Sequence, residues 1–278
     1  MSGRAKYRVA CAGLAVLTAS LVLLPGCARI SQYLYLHGYD GDIEKAARAI
    51  ESAKNDSQRA AAYAQRGAVI GEKARYSRAF KLISGAEHAK MLEQALQDHA
   101  QAIALAPGNA ELYYLRGYTY YSQATLGPLV PEEEPLSKPR MALARTDFSK
   151  AVELDPRSAQ ALEMRGMAEE GIDDMDAAVA DYTKLVELAP KSSYRLADAY
   201  CTRGSSYLRE KKYDLAAADL EKSIAIGSSA DACQCEPYNA LLAIYLFQKP
   251  EMAKAREVAR RARAAHKWIA PEYLDKLK

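Results

Sequence analysis

Four Arg-Gly dipeptides recur at comparable places in this chain: Arg66-Gly67, Arg116-Gly117, Arg165-Gly166 and Arg203-Gly204. A large residue stands four positions before each glycine, namely Tyr63, Tyr113, Leu162 and Tyr200. Downstream of each comes Ala-x-x-Asp, followed in most copies by a bulky residue, as in Ala144…Asp147-Phe148 and Ala178…Asp181-Tyr182. Self-similarity on this scale marks a stack of like supersecondary units, since one unit alone cannot bury its apolar face. Such a stack offers an extended surface for partners rather than a reaction centre.

The first residues stand outside the repeats. Arg4, Lys6 and Arg8 precede a nearly uninterrupted apolar run from Val9 to Leu24, which closes in Leu24-Pro25-Gly26-Cys27. The run falls short of the roughly 20 residues that span a bilayer, so it reads as a secretory signal. Its Leu-x-Gly-Cys end resembles the lipobox of bacterial lipoproteins, whose cysteine thiol is acylated and becomes the first residue. The resemblance implies a signal peptide over residues 1–26, a palmitate-type anchor on Cys27 and a tether over 27–41. Ala28, where an aspartate would favour the inner membrane, implies the outer membrane and a periplasmic outlook. Removing the signal takes three of 38 basic residues and no acidic one, leaving 35 of each sign. A neutral mature chain lacks the basic footprint of a nucleic-acid binder.

The clearest unit runs from Ala159 to Pro190. Gly166 and Ala178 are small enough for two helix backbones to cross closely, while Leu162 and Tyr182 fill the space beside them. Pro190 cannot continue a helix and ends the unit. Between the two helices, Gly171-Ile172-Asp173-Asp174 supplies a permissive residue and a capping acid. The pattern resembles the tetratricopeptide repeat family: a large residue, a glycine, Ala-x3-aromatic and a closing proline, with a 34-residue period. Tyr113, Gly117, Tyr120, Ala144, Phe148, Ala151 and Pro156 repeat it, as do Tyr200, Gly204, Tyr207, Ala216 and Leu220. An earlier copy uses Tyr63, Gly67, Ala95, Ala102 and Pro107, with His99 in the aromatic place. The resemblance implies an all-α solenoid of antiparallel helix pairs wound as a right-handed superhelix over residues 42–270, with four full repeats and partial flanking units.

Two units are longer than the others. Gly67 to Ala95 and Gly117 to Ala144 exceed Gly166 to Ala178 by far. The first insertion, around Lys73 to Lys90, is helix-compatible and sets Tyr76, Phe80 and Ile83 at helical spacing. The second, Leu126 to Arg140, carries Pro128, Pro131, Pro135 and Pro139 around Glu132-Glu133-Glu134 and reads as an extended, solvated loop. Partner contact and simple surface tolerance both remain open for these insertions. Arg256 to Lys267, ending near Trp268, reads as a basic capping helix, with an anionic membrane contact as the other reading; 271–278 reads as a tail.

Catalytic and metal-binding patterns are missing from the sequence. His37, His88, His99 and His266 form no pair at helical spacing, and there is no HExxH, phosphate loop or GxSxG elbow. No metal, cofactor, enzymatic activity or small-molecule substrate is therefore expected. Asp98, Asp147, Asp181 and Asp219 share one repeat position, which points to a structural bond on the helix surface or between repeats. Cys11 leaves with the signal, so Cys201, Cys233 and Cys235 remain after lipidation of Cys27. In an oxidising compartment Cys201 is placed to bridge to either partner; unbridged thiols are the alternative, and a reactive thiol would make the chain an envelope redox protein.

The remaining candidate site is a surface. In the family it resembles, the first helix of each unit lines a concave face that holds extended peptides or partner helices. Glu111, Tyr114, Tyr118 and Tyr121 are the exposed positions of that helix in one unit, and Gln160, Glu163, Met167 and Glu170 continue the groove in the next. Packing of some tyrosines against the proline-rich insertion is the competing reading. Tyrosine combines rigid apolar area with a polar tip, a composition enriched at interfaces. The function implied is a membrane-anchored scaffold that assembles envelope proteins, with a purely structural subunit of a stable complex as the alternative.

Overall fold

The computed structural model describes residues 25–80, 82–126, 137–188, 194–227 and 236–278, and every regular element among them is helical. Helix α1 (Pro25–Ser52) leads into α2 (Asp56–Ala79) and α3 (Gly85–Leu105), α4 (Ala110–Leu126) and α5 (Ser137–Leu154), and α6 (Ala159–Gly171) and α7 (Met175–Leu188). Then follow α8 (Tyr194–Arg209) with α9 (Tyr213–Ile226), and α10 (Pro237–Ala243) with α11 (Met252–Ala264). A wider turn over Ile244–Gln248 prolongs α10, and α12 (Pro271–Lys276) closes the chain. Pro190, Cys233, Cys235 and the first 24 residues of the expected signal peptide lie outside the described residues.

Local chemistry sets the helix ends. The Asn55 side chain accepts from Gln58 N–H at 2.9 Å to start α2, and Ser158 accepts from Ala161 N–H at 3.2 Å to start α6. Ser84 and Glu87 form a reciprocal capping box at α3. Several pairs turn through a residue in the left-handed region, Asp173 (φ 66°) between α6 and α7 and Lys211 (φ 61°) between α8 and α9. Gly171 was expected to supply that freedom. It instead ends α6 where an added Cβ would fall 2.9 Å from Met141 Cγ, so its role is close packing against α5.

The recurrent dipeptides turn out to be two halves of one interlock. In all four units the arginine of Arg-Gly grips the aspartate of Ala-x-x-Asp with two hydrogen bonds of 2.5–2.9 Å: Arg66–Asp98, Arg116–Asp147, Arg165–Asp181 and Arg203–Asp219. The bond therefore lies inside each repeat, between its two helices, rather than between repeats. The aspartates are buried, and the hydrogen bond that each arginine donates to its aspartate is the largest cause raising each guanidinium pKa, with burial opposing. Removing one partner of such a buried pair costs about 3–5 kcal/mol, because the other charge is stranded. The large residue one turn upstream contributes too: the Arg66 and Arg203 guanidiniums lie 5.6 Å from the Tyr63 and Tyr200 ring centroids.

The glycine beside each arginine receives the residue beside each aspartate. A Cβ on Gly67, Gly117, Gly166 or Gly204 would come within 2.8 Å of His99, 2.9 Å of Phe148, 2.6 Å of Tyr182 or 3.1 Å of Leu220. Adjacent residues on one helix thus clasp adjacent residues on the other, one pair by charge and one by contact. His99, Phe148, Tyr182 and Leu220 are all buried at the centre of their units.

Differences from the sequence expectation have simple causes. The first insertion is no separate element; it lengthens α2 and α3, and Tyr76 meets Phe80 (4.5 Å between centroids) at the far end of that long hairpin. In the second, α5 already begins at Ser137, so Ser137–Arg140 is helical rather than extended. Pro139 fits there because first-turn N–H groups have no helical acceptor. The 27–41 segment expected as a tether belongs to α1, whose Tyr39 and Asp40 already meet Tyr76 and Lys73 of α2. Residues 271–278 are not a loose tail: Tyr273, Leu274 and Leu277 pack on the terminal cluster built on Leu241, Leu242, Ile244 and Val258. Helix α11 buries Ala255, Val258, Ala259 and Ala262 in the same cluster, so α11 and α12 cap the stack together.

Candidate partner-binding face

Successive first helices touch one another, α2 against α4 and α4 against α6, while no comparable contact joins successive second helices among the described residues. The first helices are therefore the tighter, inner layer. Between α6 and α8 the contact is polar: Glu170 accepts from the Ser206 hydroxyl and from Arg209 at 2.9 Å. Counted from each clasp glycine, the residues three before, one after and four after share one helical face. That triad is Ala64, Ala68 and Gly71 in α2, and Tyr114, Tyr118 and Tyr121 in α4. In α6 it is Glu163, Met167 and Glu170, and in α8 Cys201, Ser205 and Leu208. The clasp repeats from unit to unit and this face does not.

The aromatic and acidic triads meet around a hydroxyl. The Tyr182 ring lies against Gly166, its Cζ 2.8 Å from where a Cβ would stand, so the phenol end reaches α6 between Glu163 and Glu170. Its oxygen is buried and has no hydrogen-bond partner. Desolvation raises its pKa most, followed by the charges of Glu170 and Glu163 and by Tyr121. Tyr121 is raised in turn by desolvation, Glu170 and Tyr118. At the other end of α4, Glu111 is open to solvent and has no ion-pair partner among the described residues, yet flanking protein raises its carboxyl by desolvation.

Residues 159–192 and 197–226 match the family model described as tetratricopeptide repeat. The fold is a tetratricopeptide-repeat solenoid. A solved structure of MamA (RS-1 ArsTM double mutant) superposes with a TM-score of 0.50 at 16% identity, covering 72% of this chain and 91% of that one. A thermophilic TPR protein of Thermus thermophilus, TTC0263, gives 0.44 at 18% identity over 86% of this chain and 96% of that one. No curated protein matches the chain. At these identities the structures share the TPR fold with this chain and nothing finer.

Within the TPR frame, the expected groove residues separate into distinct roles. Tyr114, Tyr118 and Tyr121 are half-buried rather than exposed, because Met141, Ala144 and Phe148 of α5 draw them inward. The Tyr114 ring lies 5.8 Å from Phe148 and 6.3 Å from Tyr118, so it joins core to surface. Glu163 and Gln160 are exposed and Met167 half-buried. Glu170 already serves as a link between α6 and α8.

Cys201 is completely buried and disulfide-bonded, with its partner outside the described residues. A bridged, buried sulfur offers no thiolate, which removes the nucleophile from the thiol-enzyme reading at that position. Among the described residues no cluster of His, Cys, Asp or Glu suits a metal, and no helix is long and apolar enough to cross a membrane. A 390 Å³ recess at the start of α9 is lined by Lys211, Lys212, Tyr213, Asp214, Leu215 and Lys249; Lys249 is tied to Asp214 and Lys212 to Glu210.

Sequence reasoning passed over Glu169. It lies seven residues after Leu162 and four after Arg165, hence on the face toward α7, and that spacing was the available signal. It is buried beside Arg165 (3.8 Å), and desolvation, aided by Asp181, pushes its carboxyl up to about 7.

Proposed function

We propose that this chain is a periplasm-facing TPR adaptor, anchored in the outer membrane through acylated Cys27, that docks a peptide or helix of an envelope protein on the inner face of α4, α6 and α8. The observation that carries the docking reading is the contrast within each first helix. Arg and Gly build the same interlock four times, whereas the inward triad changes from small to aromatic to acidic residues. A TPR stack is a protein-interaction scaffold, and an inner layer that differs from unit to unit is what partner choice requires.

The anchor reading rests on the Leu-x-Gly-Cys end of the signal and on Ala28. Helix α1 runs from this point toward the body, where Tyr39 and Asp40 meet Tyr76 and Lys73 of α2. At ~1.5 Å per residue the intervening helix would hold the solenoid about 20 Å from an acyl chain on Cys27. The acyl chains would carry the membrane affinity, about 0.8 kcal/mol per buried CH₂.

Two measurements test the reading. A photo-crosslinking side chain at Glu163 or Met167 should capture a discrete envelope protein in cells, and the same group at Glu187 on the outside of α7 should not. Capture from Glu187 alone would refute inner-face docking. Palmitate labelling should mark the wild-type chain and disappear in Cys27→Ser; label retained in that variant would refute the anchor.

A further inference from the structure

Resting on the acyl-anchor reading, we infer that the tip of the α2–α3 hairpin is a second contact with the bilayer that holds Cys27. Phe80 and Leu82 enter the lipid interface there, and Arg78 and Lys90 face the headgroup phosphates. Direction is the first observation. Helices α1 and α2 are joined by the short turn 53–55 and run antiparallel, with Tyr39 against Tyr76 and Asp40 against Lys73. The end of α2 therefore lies on the Cys27 side of these contacts. It also stands tall. Helix α2 continues from Gly67 to Ala79, twelve residues past its clasp glycine, where α6 (Gly166 to Gly171) and α8 (Gly204 to Arg209) continue for five. At ~1.5 Å per residue the difference carries the tip about 10 Å further than the ends of those helices.

The surface of the tip is the second observation. Phe80 is 43% and Leu82 40% exposed, although the Phe80 ring packs on Tyr76 (4.5 Å between centroids) and Tyr76 on Tyr39 (6.4 Å). Three rings thus climb from the body toward the anchored end. The Leu82 N–H donates to the Ser77 carbonyl at 2.7 Å, so the backbone itself closes the turn that displays both apolar side chains. Charge is the third. Residues 73–90 hold five Lys or Arg and one acid, Glu87, which Ser84 engages in the capping box. Lys73 is tied to Asp40 and Arg75 to Glu72, which leaves Arg78 and Lys90 with no acid partner among the described residues. Exposed apolar side chains beside such cations suit a layer of acyl chains and phosphates. The reach fits as well. Phe80 lies one turn nearer Cys27 than Tyr39 does, about 12 Å along α1 and one helix spacing, about 8–10 Å, to its side. A lean of α1 by roughly 50° from the membrane normal brings the tip and Cys27 to one level.

The test moves the chain's single tryptophan to the tip. Trp268→Phe gives a dark background, to which Phe80→Trp, Leu82→Trp or Glu187→Trp adds one probe. Each full chain, expressed with its own signal, is reconstituted into phosphatidylethanolamine–phosphatidylglycerol vesicles with or without brominated acyl chains and recovered by flotation. Emission from the probes at 80 and 82 should move to the blue and lose most of its intensity to the brominated lipid, while the probe at 187 stays bright. Adding Arg78→Gln and Lys90→Gln should lower the quenching at 80. Helical circular dichroism and melting of each variant should match the parent, and the two tip positions report separately should one of them perturb the turn. Chains that float with probes at 80 and 82 quenched no more than the probe at 187 overturn the inference and leave the anchor intact. A parent chain that neither floats nor carries palmitate label overturns the anchor reading, and the inference falls with it.

Discussion

In the α2–α3 pair the residue beneath the clasp glycine is His99; in the α6–α7 pair it is Tyr182. Both are buried, and both units close with the same arginine–aspartate grip. His99 lies dead-ended in the core with neither ring nitrogen bonded, and burial holds its pKa down at about 4, so it is a neutral filler. Tyr182 is equally buried, but its phenol end lies beside Gly166 of α6, close enough for the charges of Glu170 and Glu163 to add to the desolvation that raises its pKa. The α2 triad above His99 is small, Ala64, Ala68 and Gly71, where α6 carries charge and sulfur. One frame therefore carries two different first-helix faces, one of small residues and one of charge and sulfur.

The largest effect should come from closing the gap over Gly166. Gly166→Val forces a side chain into Tyr182 and should cost about 3 kcal/mol or more in urea unfolding, since overpacking a tight crossing displaces both helices. A loss no greater than a typical surface change would mean that the two helices cross less tightly than the structure shows.

The two units should also respond to pH in opposite directions. The folded-state pKa of His99 lies below the ordinary histidine value, so its contribution is whole above pH ~6.5 and lost as pH falls toward about 4. His99→Phe, copying Phe148, should flatten that acid limb and recover about 2 kcal/mol near its bottom. Glu169 is the reverse case, with a folded pKa raised to about 7. Its cost grows as pH rises from the ordinary carboxylate range through about 7, so Glu169→Gln should stabilise at about pH 8 by about 1 kcal/mol and change nothing near pH 4. Melting curves across that range check both variants, and matching slopes in parent and variant would contradict the burial argument. The smallest effect belongs to the face: Glu163→Gln should alter stability by less than about 0.5 kcal/mol, because the residue is exposed and outside the clasp.

Much of the frame is legible in the sequence. The glycines, the closing prolines and the recurrence of Asp98, Asp147, Asp181 and Asp219 all pointed to paired helices with a structural acid. The partner of that acid was harder to read. Arginine and aspartate are 32 and 31 residues apart in the two long units and 16 apart in the two short ones, so no fixed spacing reveals the bond. The long spacing of the first unit is absorbed by extending both helices, which helical periodicity through Tyr76 and Phe80 allowed without demanding. The face was legible only as a set of positions. Tyr114, Tyr118 and Tyr121 carry enough apolar area for α5 to pull them inward, and the seating of Tyr182 against Gly166 depends on a crossing distance that a helical wheel does not contain.

The claim on which the account turns is that Arg-Gly and Asp-bulky pairs form one interlock in every unit. A double-mutant cycle on Arg165 and Asp181, each changed to leucine and measured by urea unfolding, tests it directly. The account predicts that each single change costs about 3 kcal/mol and that the double costs clearly less than their sum, with a coupling of about 2 kcal/mol. Single costs that simply add, within about 0.5 kcal/mol, would show that the two side chains act independently and would contradict it.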